Sequence, residues 1–213
     1  LSYGTGRCID CCLQFMRNSI VLIFLLALLT QCDGEFIPDP LDPRLPRYSE
    51  EGKNAAGCFI DDDIWRAVKV AEEFTLTFPG NGAEQEMRLS INDSTIRVFI
   101  DGNLIDNSNS NTNIEFEIDN RQTQFQSTDE LHQQTFVLDG ARNFGRVRGD
   151  HINEFTDCRG AGQLIIRYAQ PDPDAENYYI VAGTFFFTTA SGSCQLIKVK
   201  SGRFDYQVRA IED

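Results

Sequence analysis

Two histidines and two acidic clusters are the residues of this chain whose types could support catalysis or metal binding. His132 and His151 both lie in polar surroundings, which is typical of solvated surface histidines. The sequence contains no nucleophile elbow, zinc-protease helix, phosphate-binding loop, dinucleotide fingerprint or complete EF-hand loop. A Ser-His-Asp triad needs no proximity in sequence, so that arrangement stays open. The sequence therefore predicts no identifiable catalytic site and no cofactor.

The acidic run Asp61-Asp62-Asp63 could offer oxygen ligands to calcium, which takes about six to eight of them. Asp61 and Asp63 are only weak candidates, because three adjacent aspartates cannot all face one ion from a single turn. A second acidic loop, Asp172 to Glu176, is interpreted in the same way. We expect surface turns at both places and no bound metal.

The N-terminal part of the chain has the features of an export signal. Residues 1–15 precede the first methionine, Met16, and are interpreted as a non-native or cleaved leader. Residues 16–32 combine a basic start with the apolar run Ile20–Leu29. As a helix that run spans roughly 15 Å, about half a bilayer core, which predicts a signal peptide and not a membrane span.

The apolar run ends in Leu29-Thr30-Gln31-Cys32, which resembles the lipobox of bacterial lipoproteins, although Gln31 replaces the usual small residue. The resemblance implies that Cys32 is acylated after cleavage and anchors the mature chain to a membrane without spanning it. An ordinary signal peptide with a free Cys32 is the alternative. Acidic residues just after Cys32 are similar to the export signals of surface lipoproteins in Bacteroidetes-type bacteria. The predicted location is the bacterial cell envelope, as an outer-membrane lipoprotein facing the periplasm or the surface.

Three further cysteines, Cys58, Cys158 and Cys194, follow the predicted signal. An exported chain meets an oxidising compartment, so we expect one disulfide and one remaining thiol. Three pairings are possible, and we predict Cys58–Cys194 because both residues sit at strand ends beside glycine or serine. In the chain-entropy model a loop of that size would stabilise the fold by about 4 kcal/mol.

Residues 33–53 are predicted to be a linker, because four of the seven prolines lie between Pro38 and Pro46. Such a composition holds a chain extended and stiff, which would keep the folded domain away from the lipid. The net charge of −13 makes nucleic acid and anionic membrane surfaces poor partners on electrostatic grounds.

The densest β-forming run extends from Tyr178 to Val208 and predicts a central hairpin. Its apolar residues fall on odd numbers at Ile197 and Val199 but on even numbers from Phe204 onward. A slip of one residue would turn the apolar set outward, so we predict a β-bulge at Ser201-Gly202. Gly202 is the expected site of a positive φ, since it has no Cβ.

Alternating apolar residues elsewhere predict further short strands within a domain of residues 54–213. The predicted strands cover residues 56–60, 64–68, 74–78, 87–91, 96–100, 114–118, 135–138 and 164–168. The stretches 101–113 and 139–150 are polar and rich in glycine or asparagine, and are predicted to be loops. About ten short strands with regular turns predict an all-β fold, an antiparallel β-sandwich or a partly open barrel.

Three motifs resemble a family of small Bacteroidetes-type lipoproteins classed as a domain of unknown function (number 6252). They are Gly57-Cys58-Phe59-Ile60 followed by a turn and Trp65, the run 181–187 (VAGTFFF), and the closing run 201–206 (SGRFDY). The resemblance covers about residues 54–209. It implies architecture and cellular location only, because the family has no assigned activity.

These observations predict an exported, lipid-anchored, monomeric β-protein with a binding or structural role and an unknown protein or glycan ligand. One alternative is an envelope hydrolase acting on glycans, which needs two carboxyl groups about 5–10 Å apart in a cleft. Another is a carbohydrate-binding module, which needs exposed aromatic residues. Trp65 and Tyr178-Tyr179 are the candidates for such a platform.

Overall fold

A computed structural model of the chain describes residues 37–68, 87–105, 107–149, 158–189 and 196–209. All of them belong to one compact unit, Gly34–Asp213. The described residues form ten strands and one short 3₁₀ helix, Asp129–Leu131. The strands are β1 (Ala55–Ile60), β2 (Asp63–Val68), β3 (Met87–Ile91), β4 (Thr95–Leu104), β5 (Asn107–Asp119), β6 (Gln134–Asp139), β7 (Phe144–Gly149), β8 (Gly160–Pro171), β9 (Tyr178–Thr189) and β10 (Ile197–Arg209). The helix in the described part of the chain is not long and apolar enough to cross a membrane.

Eight of the strands close into an antiparallel barrel. The order around the barrel is β2-β1-β10-β9-β8-β7-β5-β4, and β4 returns to β2 through the pairs Leu104–Trp65 and Asn103–Arg66. The other two strands lie outside this ring, with β3 on β4 and β6 on β8. The prediction of an all-β fold with about ten antiparallel strands is confirmed, and the ring of strands is closed.

Aromatic side chains fill the inside of the barrel. Strand alternation directs Phe116, Phe185 and Phe187 inward, where Phe116 makes edge-on contacts at 5.2 Å with Phe185 and 5.7 Å with Phe187. Trp65 is fully buried and donates a hydrogen bond from Nε1 to the Thr112 carbonyl, 2.7 Å away. A barrel of eight strands is just wide enough for side chains to fill, so its interior is the hydrophobic core.

The bulge in β10 lies where the change of apolar phase predicts it. Val199 pairs with Phe187 and Gly202 with Phe185, so β10 has one extra residue opposite Phe186. The residue with a positive φ is Ser201, at +53°, and not Gly202 as predicted. Gly202 is needed for a steric reason instead, because a Cβ there would lie 2.3 Å from ring atoms of Phe185.

Two regions that were predicted to be loops contain strands. β4 continues to Leu104 and β5 begins at Asn107, so most of residues 101–113 belong to a long hairpin. Strand β7 occupies Phe144–Gly149 within the second predicted loop. Both stretches are polar and rich in glycine or asparagine in sequence, and this composition concealed the strand pattern. The predicted strand at 74–78 lies outside the described residues.

Residues 37–53, named here the N-terminal strap, fold back onto the barrel, which differs from the predicted extended linker. The strap turns on a bridge between Pro38 and Pro46, and Leu45 within it is fully buried. Pro46 packs on Gly57 of β1, where a Cβ would lie 2.4 Å from the proline ring. Proline therefore shapes a docked turn here, so the folded unit extends to Ile37.

The carboxylate of Asp205 on β10 holds the end of the strap. It accepts hydrogen bonds from the backbone amides of Glu51, Gly52 and Lys53, at 3.3, 2.8 and 3.3 Å, and one from the Ser49 hydroxyl. Asp205 is 2% exposed. Buried carboxylates are stable only when they are hydrogen-bonded, so these four donors account for a charge in this position.

Candidate functional site: an arginine-rich cleft

The predicted disulfide between Cys58 and Cys194 is wrong, because Cys58 is a free thiol. It is fully buried, and burial raises the pKa of the thiol well above its ordinary value, which keeps it protonated and unreactive. Cys158 is disulfide-bonded, and its partner lies outside the described residues. Cys194 lies outside the described residues. Cys32 also lies outside the described residues.

The two calcium candidates serve in a hairpin turn between β1 and β2. Asp61 accepts a hydrogen bond at Oδ1 from the Lys198 amide at 2.8 Å, and its own amide donates to the Lys198 carbonyl. Asp63 pairs with Ile60 at the start of β2. The described residues contain no group of three acidic, histidine or cysteine side chains arranged to hold a metal ion.

The second acidic loop and His132 also have structural partners. Asp172 accepts hydrogen bonds from the Asp174 amide at 2.8 Å and from Gln207 Nε2 at 2.5 Å. His132 accepts one at Nδ1 from the Ala169 amide at 3.2 Å. His151 lies outside the described residues.

A cleft of about 350 Å³ opens on the outer face at one end of the barrel. It lies where the turn before β4, the end of β5, the turn between β6 and β7, and the residue before β8 come together. The strand register causes this meeting, since Thr95 pairs with Asp119, Glu117 with Phe144, and Gly145 with Gly160. Its lining residues are Ser94, Thr95, Glu117, Ile118, Asp119, Arg121, Ala141, Arg142, Phe144 and Arg159, and the group is named here the arginine cleft.

Side-chain hydrogen bonds fix the two turns that carry Arg121 and Arg142. Asp139 Oδ1 accepts hydrogen bonds from the amides of Ala141, Arg142 and Asn143 at 2.8–3.0 Å, which caps the β6–β7 turn. Asn143 then bridges the two turns, because its Oδ1 accepts from the Asp119 amide at 2.8 Å. The backbone at Arg142 is therefore held beside the end of β5 before any ligand arrives.

Asp119 and Arg121 form a two-bonded ion pair within the cleft. Arg121 donates from Nε and Nη2 to the Asp119 carboxylate at 2.8 and 2.7 Å. These side-chain hydrogen bonds lower the pKa of Asp119 to about 2, with a further contribution from the Arg121 amide. Asp119 is therefore a carboxylate at neutral pH, and Arg121 is already engaged by it.

Of the other two arginines, Arg142 lies within the β6–β7 turn and Arg159 contacts that turn. Arg159 lies over the Phe144 ring at 4.3 Å and donates from Nη1 to the Ala141 carbonyl at 2.9 Å. The Arg142 side chain is exposed, and in the described part of the chain it has no hydrogen bond or ion pair. The cleft holds three arginines against two carboxylates, a local charge of +1 in a chain of net charge −13.

Several ion pairs lie next to the cleft on β4, β5 and β7. Most of their side chains are buried or half-buried. Arg146 binds both oxygens of Glu115, with Nη2–Oε1 at 2.6 Å and Nε–Oε2 at 2.8 Å, and both residues are buried. Glu117, which lines the cleft, lies 3.5 Å from Arg97 and 3.6 Å from Arg146. Its charge is therefore balanced from outside the cleft.

Asp101 and Glu115 are two carboxyl-bearing residues of the described chain that can be compared with the hydrolase alternative. They occupy diagonal positions on β4 and β5, where residue positions lie about 7–8 Å apart. Burial raises the pKa of Asp101, and Arg88 acts in the opposite direction. Both oxygens of Glu115, however, bind Arg146, and Arg148 lies 3.3 Å from one of them. Glu115 is therefore placed as the anchor of an ion pair and not to activate a water molecule.

The aromatic residues predicted for the carbohydrate-binding alternative lie in two different environments. Trp65 fills the core against Gly102, where a Cβ would lie 2.4 Å from the indole ring, so it contacts no surface ligand. Tyr178 and Tyr179 are half-buried on β9, and Tyr179 packs against the core.

The arginine cleft could not be predicted from the sequence. Its arginines lie at 121, 142 and 159, in three separate stretches of the chain, and no local pattern joins them. A signal was present in two of these stretches, because Asp119-Asn120-Arg121 and Asp139-Gly140-Ala141-Arg142 each begin with a turn-capping aspartate and end in arginine. Comparisons of the chain with protein-family models, curated proteins and solved structures found no match.

Proposed function

We propose that this protein is an exported binding module of the bacterial envelope, anchored through a lipid on Cys32 and binding its ligand at the arginine cleft. The observation that carries the proposal is the filled barrel, which leaves the outer surface for ligand contact. In the described residues, the cleft is a part of that surface where fixed turns hold several arginines near one another. The lipobox-like end and the resemblance to Bacteroidetes-type lipoproteins support the location.

The docked strap limits the distance between a lipid on Cys32 and the barrel. Ile37 is five residues beyond Cys32, and five residues reach at most about 18 Å when fully extended. A lipid on Cys32 therefore holds the barrel close to the membrane instead of on a long spacer. In this arrangement the folded domain itself faces the lipid headgroups.

Metabolic labelling tests the anchor. Cells expressing the full chain are fed a palmitate analogue with an alkyne, and the purified protein is examined for label. We expect label on the wild type and on Cys58→Ala, the matched single-cysteine control, and none on Cys32→Ala. Equal labelling of wild type and Cys32→Ala, or no label on either, would overturn the lipid anchor.

A further inference from the structure

The first turn of the N-terminal strap presents a contiguous set of exposed apolar residues. Leu41 is 95% exposed, the highest value among the large apolar side chains of the described residues. Single exposed apolar residues are ordinary on a protein surface, whereas a contiguous apolar surface marks contact with a protein or a membrane. Leu41 belongs to such a surface on residues 37–44, named here the strap tip. Its exposed apolar residues are Ile37, Pro38, Pro40, Leu41 and Pro43.

The backbone N–H groups of the strap tip are hydrogen-bonded from residue 38 to residue 44. The amides of Leu41 and Asp42 donate to Asp39 Oδ1 at 2.7 and 3.1 Å. The Arg44 amide donates to Asp42 Oδ1 at 3.2 Å, and the Asp39 amide donates to the Leu45 carbonyl at 2.9 Å. The other positions in this range are prolines, which have no N–H. Because an unpaired N–H group is costly in lipid, a turn built in this way enters an apolar phase more readily than an ordinary loop.

The charged side chains of the strap tip are paired as well. Arg44 donates to both oxygens of Asp42, from Nε to Oδ1 and from Nη2 to Oδ2, and both distances are 2.9 Å. Asp39 forms an ion pair with Arg203 of β10. Only 13% of the Asp39 side chain and 27% of the Asp42 side chain are exposed. The two pairs together carry no net charge, and the acidic groups are shielded where the side chain of Leu41 is not.

The position of the strap tip in the chain indicates its partner. Ile37 follows Cys32 by five residues, which reach at most about 18 Å, so a lipid on Cys32 brings the tip to the membrane surface. We propose that the strap tip inserts into the boundary between lipid headgroups and acyl chains, with Leu41 as its main apolar contact. The tip then acts as a second membrane attachment beside the lipid. This inference rests on the proposed lipid anchor, and it identifies a lipid surface as the partner of this turn.

Tryptophan fluorescence in lipid vesicles tests this contact. The chain has one tryptophan, Trp65, which is fully buried in the barrel. Leu41→Trp places a reporter at the tip. Val137→Trp is the matched control, because Val137 is an apolar residue with 66% exposure on β6, which two strands separate from β10. The full chain of each variant is reconstituted with phosphatidylcholine vesicles, either plain or with bromine on the acyl chains near the headgroup.

Bromine quenches tryptophan on contact, so the brominated vesicles should reduce the fluorescence of Leu41→Trp. The fluorescence of Val137→Trp and of the wild type should be equal in both kinds of vesicle. Ile37→Trp is a second reporter at the base of the same turn and should be quenched less, because Ile37 is 37% exposed. All three substitutions replace exposed side chains, and we expect thermal unfolding of each variant to match the wild type.

Two results would overturn the membrane contact. One is the absence of quenching in both tip variants, whether water or a second copy of the chain covers the tip. The other is equal quenching of Val137→Trp, since the tip would then be no closer to lipid than the far side of the barrel.

The outcomes are distinct from those of the labelling experiment. Label on Cys32 without quenching of Leu41→Trp would overturn the tip contact and leave the anchor. Quenching of Leu41→Trp in a chain that carries no label on Cys32 would overturn the anchor and leave the tip contact.

Discussion

The exterior of this barrel uses charged side chains in two opposite ways. On the β10 side, the buried Asp205 carboxylate accepts four hydrogen bonds from the N-terminal strap. Groups of the same chain therefore satisfy the charge of this carboxylate. In the arginine cleft, the turns are equally well fixed, but the Arg142 side chain is exposed and makes no hydrogen bond or close ion pair with the described residues, although its charge helps to lower the pKa of Asp119. The comparison teaches that a rigid charged position is structural when its partners come from the same chain. Where the backbone is fixed and a charged side chain makes no hydrogen bond or close ion pair within the chain, that side chain is suited to binding a ligand.

Removing the carboxylate of Asp205 should have the largest effect on stability. Asp205→Ala leaves three backbone amides and the Ser49 hydroxyl without their acceptor, which should lower the free energy of unfolding by about 4 kcal/mol. Chemical denaturation measures the loss, and trypsin should cut the released strap after Arg44. The control is Asp42→Ala, a half-buried carboxylate of the same strap that pairs with the exposed Arg44, and its loss should shift the denaturation midpoint much less. Equal midpoints for both variants would mean that the strap is not held by Asp205.

A side chain at the bulge should have the next largest effect. Gly202→Val places a Cβ 2.3 Å from the Phe185 ring, and we expect a loss of about 3 kcal/mol in chemical denaturation. Lys198→Val, on the exposed face of the same strand, should be nearly neutral. Because the cause is steric, Phe185→Leu should recover part of the loss in the double variant. No recovery would indicate that the backbone conformation, and not the contact with Phe185, requires glycine.

Replacing Ser201 should have the smallest effect, and it should be a gain. Ser201 has φ +53°, which costs an L-residue about 1–2 kcal/mol, while glycine loses about 0.5–1 kcal/mol more backbone entropy on folding. Ser201→Gly should therefore stabilise the fold by about 0.5–1 kcal/mol. Lys200→Gly, one residue earlier in the bulge and without a positive φ, should destabilise it. Thermal unfolding of the two variants gives the comparison, and a shift of the same sign in both would contradict this explanation.

The strands that could be predicted from the sequence are those with one apolar and one polar face. β3 and the first half of β4 alternate between buried and more exposed residues, and β8 and β10 do so in segments separated by their register shifts. Apolar alternation did not predict the end of β4, the start of β5 or any part of β7. In β7, Phe144 and Arg146 are both buried on the outer side by ion-pair and cation–π contacts, so burial does not follow polarity there.

Long-range partners explain why the strap and the cleft could not be predicted. The prolines of the strap indicate a stiff chain, but the turn they form depends on Asp205 and Arg203, more than 150 residues later. The phase change at 199–204 did locate the bulge, since it is a local pattern. It could not reveal which residue of the bulge takes the left-handed conformation, because that depends on the Phe185 ring packing on Gly202.

The contact between the strap and β10 also has a consequence for the order of folding. β1 is complete by Ile60, yet it pairs with β10, and the strap before it needs Asp205. During synthesis the strap and β1 therefore cannot form their contacts with β10 until that last strand has been made. The barrel closes only when the chain is almost complete. Contacts between residues so far apart in sequence cost loop-closure entropy before their stabilising interactions form, and this cost slows folding. The barrel of the chain thus stays open until its final strand is available.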